Sequence, residues 1–424
     1  MGKMTDEQKN GDALAALREL SAERAGTAQP PAWPLNAHIH LPPNFSAFSS
    51  VREAVGQARE EGLSVLGAHN YYDFTVYREF AAQSGAAGIF PLFSTEIIAL
   101  DPELQAQGVR LNDPGNPGKV YLCGKGIARF EALPEAGRAI LQRIRQGDDQ
   151  RMAAMVERLA RWFAERGLET GLDADRIEEK VAERGGCARA TVTLQERHLA
   201  EAFQDRLYEL LPSGERAARL GELFGREMTK EAGDNVAMQN TLRSALMKTG
   251  RPCYVEEGFV TPEEAYLLVR ALGGIVCYPI LADGVEPQCE FERDVETLIE
   301  ALRARGIHMV EFIPNRNAPE LLEAWACTLR GEEFVVTAGT EHNTLAKIAL
   351  EPGCKGGAAV PSAAREIFRE GACVVAAHQH RVARGEEGYV DAQGRLDGAF
   401  ADGAARIAAY REWGAAVIEE FANR

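Results

Sequence analysis

The chain has 424 residues, 46% of them hydrophobic and 26% charged, a globular composition with more apolar material than one small core needs. Its 47 Lys+Arg against 63 Asp+Glu leave a formal net charge of −16, which argues against a duplex nucleic-acid or anionic-membrane footprint. A small anionic substrate then requires a metal ion or a local arginine to supply positive charge. Eight scattered cysteines form no CxxC pair, and no apolar run approaches the ~18 residues of a membrane span or forms a signal-peptide core. The expectation is a cytoplasmic protein with buried, reduced thiols.

Residues 1–33 read as an N-terminal extension, with an amphipathic piece around Ala13 to Arg24 and a proline-stiffened entry at Pro30-Pro31-Ala32-Trp33-Pro34. The next stretch is Asn36-Ala37-His38-Ile39-His40-Leu41. Alternate residues of a strand share a face, so His38 and His40 can reach one point, and a metal ion suits that point. Ser50-Val51-Arg52-Glu53 has the form of a capping box, opening a helix that Gly62 ends. Leu63 to His69 follows as strand, then a helix over Val76 to Gln83, then a strand from Ile89 to Phe93 that runs into Ser94-Thr95-Glu96. A strand closed by a polar residue and followed by a helix, repeated, is how parallel barrels gather chemistry on one rim.

Lys119 to Gly124 reads as a fourth strand; the lone Gly124-x-Gly126 is too weak for a phosphate loop. Residues 129–249 turn to long charged helices and read as a helical insertion subdomain, with His198 structural or exposed. Thr261-Pro262-Glu263-Glu264 starts a helix. Strand runs resume at Gly273 to Pro279, Ile307 to Phe312 and Phe334 to Asn343. The apolar run Cys373 to Ala377, ahead of His378-Gln379-His380, is an eighth candidate: as a strand it would bring two more histidines to the rim, as a helix it would separate them. The simplest architecture is a distorted, TIM-like (β/α)7-8 barrel over 34–128 and 250–424, interrupted by the insertion.

His38-x-His40, Ala68-His69, Thr95-Glu96 and Gly339-Thr340-Glu341-His342 come in the order and spacing of the PHP (polymerase and histidinol phosphatase) superfamily, which the chain resembles over roughly 34–128 and 250–345. The segments Tyr121 to Ile127 and Gly273 to Pro279 strengthen the resemblance, and one phosphoesterase branch of that superfamily carries a helical insert between them. The resemblance implies a distorted barrel holding one to three metal ions. Several ligand positions depart from it: Ala68 where an Asp precedes the His, Tyr121 and Tyr278 where His is usual, and Glu341-His342-Asn343 for Asp-x-His. Such a set implies one divalent ion per chain (Zn, Mn or Fe), with His38, His40, His69, Glu96 and Glu341 or His342 as candidate ligands.

In that scheme the metal activates water and polarises a phosphoryl or carbonyl oxygen. His69 and Glu341 are further ligands or bases, and Tyr121 and Tyr278 are either neutral donors facing the substrate or ordinary strand-end packing. Arg316 and Asn343 are candidates to hold an anionic substrate, with a surface loop the alternative for Arg316. The expected function is a metal-dependent hydrolase of a small anionic molecule, phosphoester before amide. Alternatives are a metal-dependent isomerase or lyase acting on a sugar or sugar acid, and a non-catalytic binding barrel. The partner expected is a small molecule, with no nucleic acid or membrane, and a homo-oligomer is compatible with the sequence.

Overall fold

A computed structural model describes residues 12–21, 30 and 34–424. The amphipathic piece expected from Ala13 is a short helix at Ala15–Arg18, and most of the expected N-terminal extension lies outside the described residues. Seven strands in chain order form one sheet: β1 Asn36–Ile39, β2 Val65–Tyr71, β3 Phe90–Leu100, β4 Lys119–Lys125, β5 Ile275–Ile280, β6 Met309–Phe312 and β7 Val335–Ala338. β1 to β3 are mutually parallel, β5 to β7 likewise, and β4 is antiparallel to both its neighbours. The carboxyl ends of six strands therefore share one rim, and β4 enters the barrel from that rim.

The sheet nearly closes on itself. Ile39 bridges Glu341 in parallel, the His40 N–H donates to the Glu341 carbonyl at 2.9 Å, and the Glu341 N–H donates to the His38 carbonyl at 2.9 Å. Gly339 permits this seam, since a Cβ there would fall 2.2 Å from the His38 Cβ. Beyond it the backbone turns through two left-handed residues, Glu341 (φ 63°) and His342 (φ 50°), a conformation that L side chains adopt at a cost and that clusters at functional sites. The architecture is the expected distorted α/β barrel, with seven strands.

Helices cover the outside. Ser50 accepts from the Glu53 N–H to start Val51–Glu60, and Thr261 with Glu264 forms a reciprocal capping box at the head of Pro262–Ala271. The run Cys373 to Ala377 lies inside the helix Ser362–Ala383, against β7 and against Gly403–Ala422. A short, wholly apolar run does not distinguish a buried strand from a buried helix, and here its small alanines allow tight helix packing. Gly414 serves the same contact, because a Cβ there would fall 1.9 Å from the Cys373 carbonyl oxygen.

Between β4 and β5 the chain forms the helices Glu135–Ala164, Ala174–Gly185, Glu196–Leu210, Ser213–Phe224 and Asn235–Leu242. Ile140 and Ile144 of the long first helix join the barrel's apolar cluster, while Met152 onward belongs to a separate cluster that reaches Cys253. The second cluster meets the barrel at the loop after His40. There the Phe45 N–H donates to Gln195 Oε1 at 2.6 Å and the Phe45 ring stands edge-on to His198 at 5.3 Å. Among the described residues no helix is long and apolar enough to cross a membrane, and all eight cysteines are free.

Candidate metal centre

His38 and His40 project from β1 and its exit on one face. Asn70 fixes that exit, its side-chain amide donating to the Leu41 carbonyl at 2.8 Å while its oxygen accepts from the Leu41 N–H at 2.8 Å. His38 Nε2 and His40 Nε2 face each other at 3.5 Å, and His40 Nε2 stands 3.5 Å from Glu96 Oε2 of β3. All three side chains are buried. Two nitrogens bound about 2.1 Å from one tetrahedral zinc would stand roughly 3.4 Å apart, so the spacing fits ligation of a single ion. The other nitrogen of His38 supports the same role. Its Nδ1 is 2.7 Å from Glu311 Oε2 on β6, so the Nδ1–H donates to the carboxylate and the Nε2 lone pair points at His40 and Glu96.

The electrostatics around Glu96 fit a cation as well. Burial pushes its carboxyl up to about 7, Glu341 and Glu311 add to the shift, and His38 opposes it. No Lys or Arg pairs with Glu96 among the described residues. Burial also drives His40 well below its ordinary value, with His38 and Arg197 adding, so its imidazole is neutral and able to ligate. Tyr71 hydrogen-bonds Glu96, and its ring stacks on His40 at 5.3 Å and 3°.

His69 stacks on His38 with ring centroids 3.7 Å apart, and its Nδ1 accepts from the Lys125 ammonium at 3.3 Å. It lies beside the trio, below the rim. The Glu341 carboxylate is at the rim, paired with Arg316 and accepting from the Asn343 amide at 3.0 Å. Arg316 and Asn343 therefore do meet, around Glu341. Tyr121 shares a strand face with Cys123 and Lys125; burial pushes its hydroxyl up to about 12 against the opposing charge of Lys119. The Lys119 ammonium stands 5.4 Å from the Tyr121 ring centroid.

Two expected site residues are elsewhere. Cys277 is in register with Cys123, so both point into the barrel and Tyr278, one residue on, faces out. Its hydroxyl donates to Glu292 Oε1 at 2.8 Å, away from the metal rim. His342 has no nitrogen to spare for a metal: Nδ1 meets the Thr340 hydroxyl at 2.6 Å and Nε2 the Ile348 carbonyl at 3.2 Å. His378 and His380 ride on the helix, not on a strand, and bond the Gly273 and Leu20 carbonyls.

Glu311, Lys125 and Tyr71 are site residues that the sequence reading missed. Glu311 and Lys125 each left one signal, Glu311 as a charge inside an apolar strand run and Lys125 as a charge that closes one. The insertion adds Arg197, whose neighbour Glu196 begins its helix. Burial lowers Arg197 to about 10, Arg243 and Arg316 add to that, and Glu341 and Tyr71 oppose it, so this arginine shares the field of the rim.

No protein-family profile matches the chain, and no curated protein does. Among solved structures, the chain is similar to a candidate metal-dependent phosphoesterase from Bifidobacterium adolescentis, with a TM-score of 0.50 and 19% identity over 80% of this chain and 97% of that one. An amidohydrolase from Chromobacterium violaceum, with bound sulfate and no metal, gives 0.49 and 17% over 76% and 93%. At such identities the first likeness bears on the fold alone, a TIM-like barrel.

Proposed function

We propose that the protein is a metal-dependent hydrolase of a small anionic substrate, a phosphoester before an amide. The observation that carries this reading is the convergence of His38 Nε2, His40 Nε2 and Glu96 Oε2 at ion-ligating spacing, with Glu311 fixing the His38 tautomer. These three residues would hold the ion, with zinc, manganese or iron the candidates and one ion per chain the expected count. When bound, a divalent ion supplies Lewis acidity to the scissile group and lowers the pKa of water.

The chain's own residues do the rest. Tyr71 restrains Glu96 through its hydroxyl and His40 through ring stacking, so two ligands keep their orientation. Arg316 on the rim and Arg197 from the insertion supply the positive charge that an overall acidic protein needs to admit an anion. Glu341 sits between Arg316 and Asn343, where it can accept or return a proton at the rim. The PHP resemblance supports the same class.

Elemental analysis of protein purified without chelator, followed by assay on phosphomonoesters, cyclic phosphoesters and amides, tests the reading. About one ion per chain and chelator-sensitive release of phosphate are expected. Amide cleavage without phosphate release would reverse the order of substrates. Absence of any ion, unchanged after incubation with divalent metals, would sink the reading.

A further inference from the structure

Beneath the His38, His40 and Glu96 trio the barrel interior holds a second convergence of donors. Ligand atoms of His38, His69, Cys123 and Glu311 lie within 4.8 Å of one another, and all four residues are buried. A thiol, two imidazoles and a carboxylate form a donor set that suits zinc by type. This set, however, already encloses a positive charge. Lys125, which has no exposed surface, places its ammonium on Glu311 Oε1, 3.3 Å from His69 Nδ1 and 3.2 Å from the Ala37 carbonyl oxygen.

An ammonium has three N–H donors, and here three acceptors surround it. A buried carboxylate without a counter-charge is costly, so Glu311 needs a cation of some kind. The reversed direction of β4 decides which. Lys125 ends a strand that enters from the rim, so it pairs with Ser94, level with His69 and two residues below Glu96 in the ladder. Its face of β4 also carries Cys123, whose thiol is 3.9 Å from Glu311 Oε2. Among the described residues, no other lysine or arginine reaches Glu311.

We propose that Lys125 is a built-in replacement for a second metal ion: its ammonium fills the place that His69, Cys123 and Glu311 would otherwise offer a divalent cation. The barrel then takes one ion, at the rim, and the Lys125 and Glu311 pair holds His38 in position for it. This inference rests on the reading of the trio as a metal centre.

Replacing the lysine tests it. Wild type, Lys125→Met and Lys125→Met/Cys123→Ser, all full length, are loaded with Co(II), dialysed, and compared by elemental count and by the near-ultraviolet thiolate-to-cobalt charge-transfer band. Wild type is expected to hold about one ion without that band. Lys125→Met should hold about one ion more and show the band, and the double variant should lose the band. An unchanged count without a band in Lys125→Met overturns the proposal, as does a thiolate band in wild type. Cys123→Ser alone keeps the charged pair, so it tests the proposal even if the lysine variant fails to fold: it should retain the wild-type ion count, and a lost ion overturns the proposal. A wild-type count near zero sinks the trio as a metal centre. In that event Lys125 is still judged by whether Lys125→Met gains an ion over wild type.

Discussion

Glu96 and Glu311 are buried in the same barrel, and both lie beside His38, yet their surroundings differ. Burial would raise Glu311, but Lys125 and His38 outweigh it and the carboxyl stays below its ordinary value. Glu96 has a tyrosine hydroxyl and the His40 imidazole as neighbours, and burial carries it up to about 7. The lower layer of the barrel has its counter-charge built into the chain. At the rim Arg316 pairs with Glu341, and among the described residues no lysine or arginine pairs with Glu96, so the trio of ligand atoms suits a bound cation.

The largest expected effect removes the rim layer. Replacing His38 and His40 together by Ala should abolish metal retention while the far-UV signal, most of it helical, stays largely intact; a variant that keeps its ion would show that the ligands have been misassigned. A smaller effect follows from linkage. An ion that binds only the folded chain stabilises it by about 4 kcal/mol at a thousandfold excess over its Kd. Melting with and without chelator should therefore separate wild type into two curves, whereas Glu96→Gln should give curves that lie close together.

The same comparison explains what the sequence reveals. His38, His40 and Glu96 are legible because a two-residue period and strand-end positions pick them out. Glu311 sits within His308-Met309-Val310-Glu311-Phe312 and Lys125 closes the run from Lys119, so each looks like an interruption of a strand until its partner is known. A charge pair separated by 186 residues has no local signature. Tyr278 is misplaced for a different reason: likeness to a motif sets a position in the chain, but register with β4 sets the face. The run before His378 fails as a strand because an apolar stretch carries no period.

Tyr278 provides the next test of the contrast between inward and outward faces. Tyr278→His should leave the ion count unchanged, since its side chain meets Glu292, and a raised count would place it on the rim after all. Tyr278→Phe removes a donor from a buried carboxyl and should cost about 1–3 kcal/mol by denaturant unfolding. Burial pushes Glu292 up to about 7 from its ordinary 4.5. A carboxyl raised on folding contributes stability that is full below about 4.5 and is lost as pH rises through about 7. Glu292→Gln should accordingly reduce the loss of stability between these limits. An identical pH profile for wild type and variant would show that Glu292 does not titrate there.

The smallest effect belongs to the rim's own charges. Arg316 is 37% exposed, so water and salt screen it in a way that they cannot screen Lys125. Arg316→Ala removes a cation where an anionic substrate approaches and frees the Glu341 carboxylate, and both changes disfavour an anion. About 1 kcal/mol, the upper end for an exposed pair, corresponds to a roughly fivefold rise in KM. The ion count should stay the same, and added salt should narrow the gap from wild type. If kcat falls while KM holds, Arg316 acts on the reaction itself, and the difference between a screened rim and a buried core would no longer explain its role.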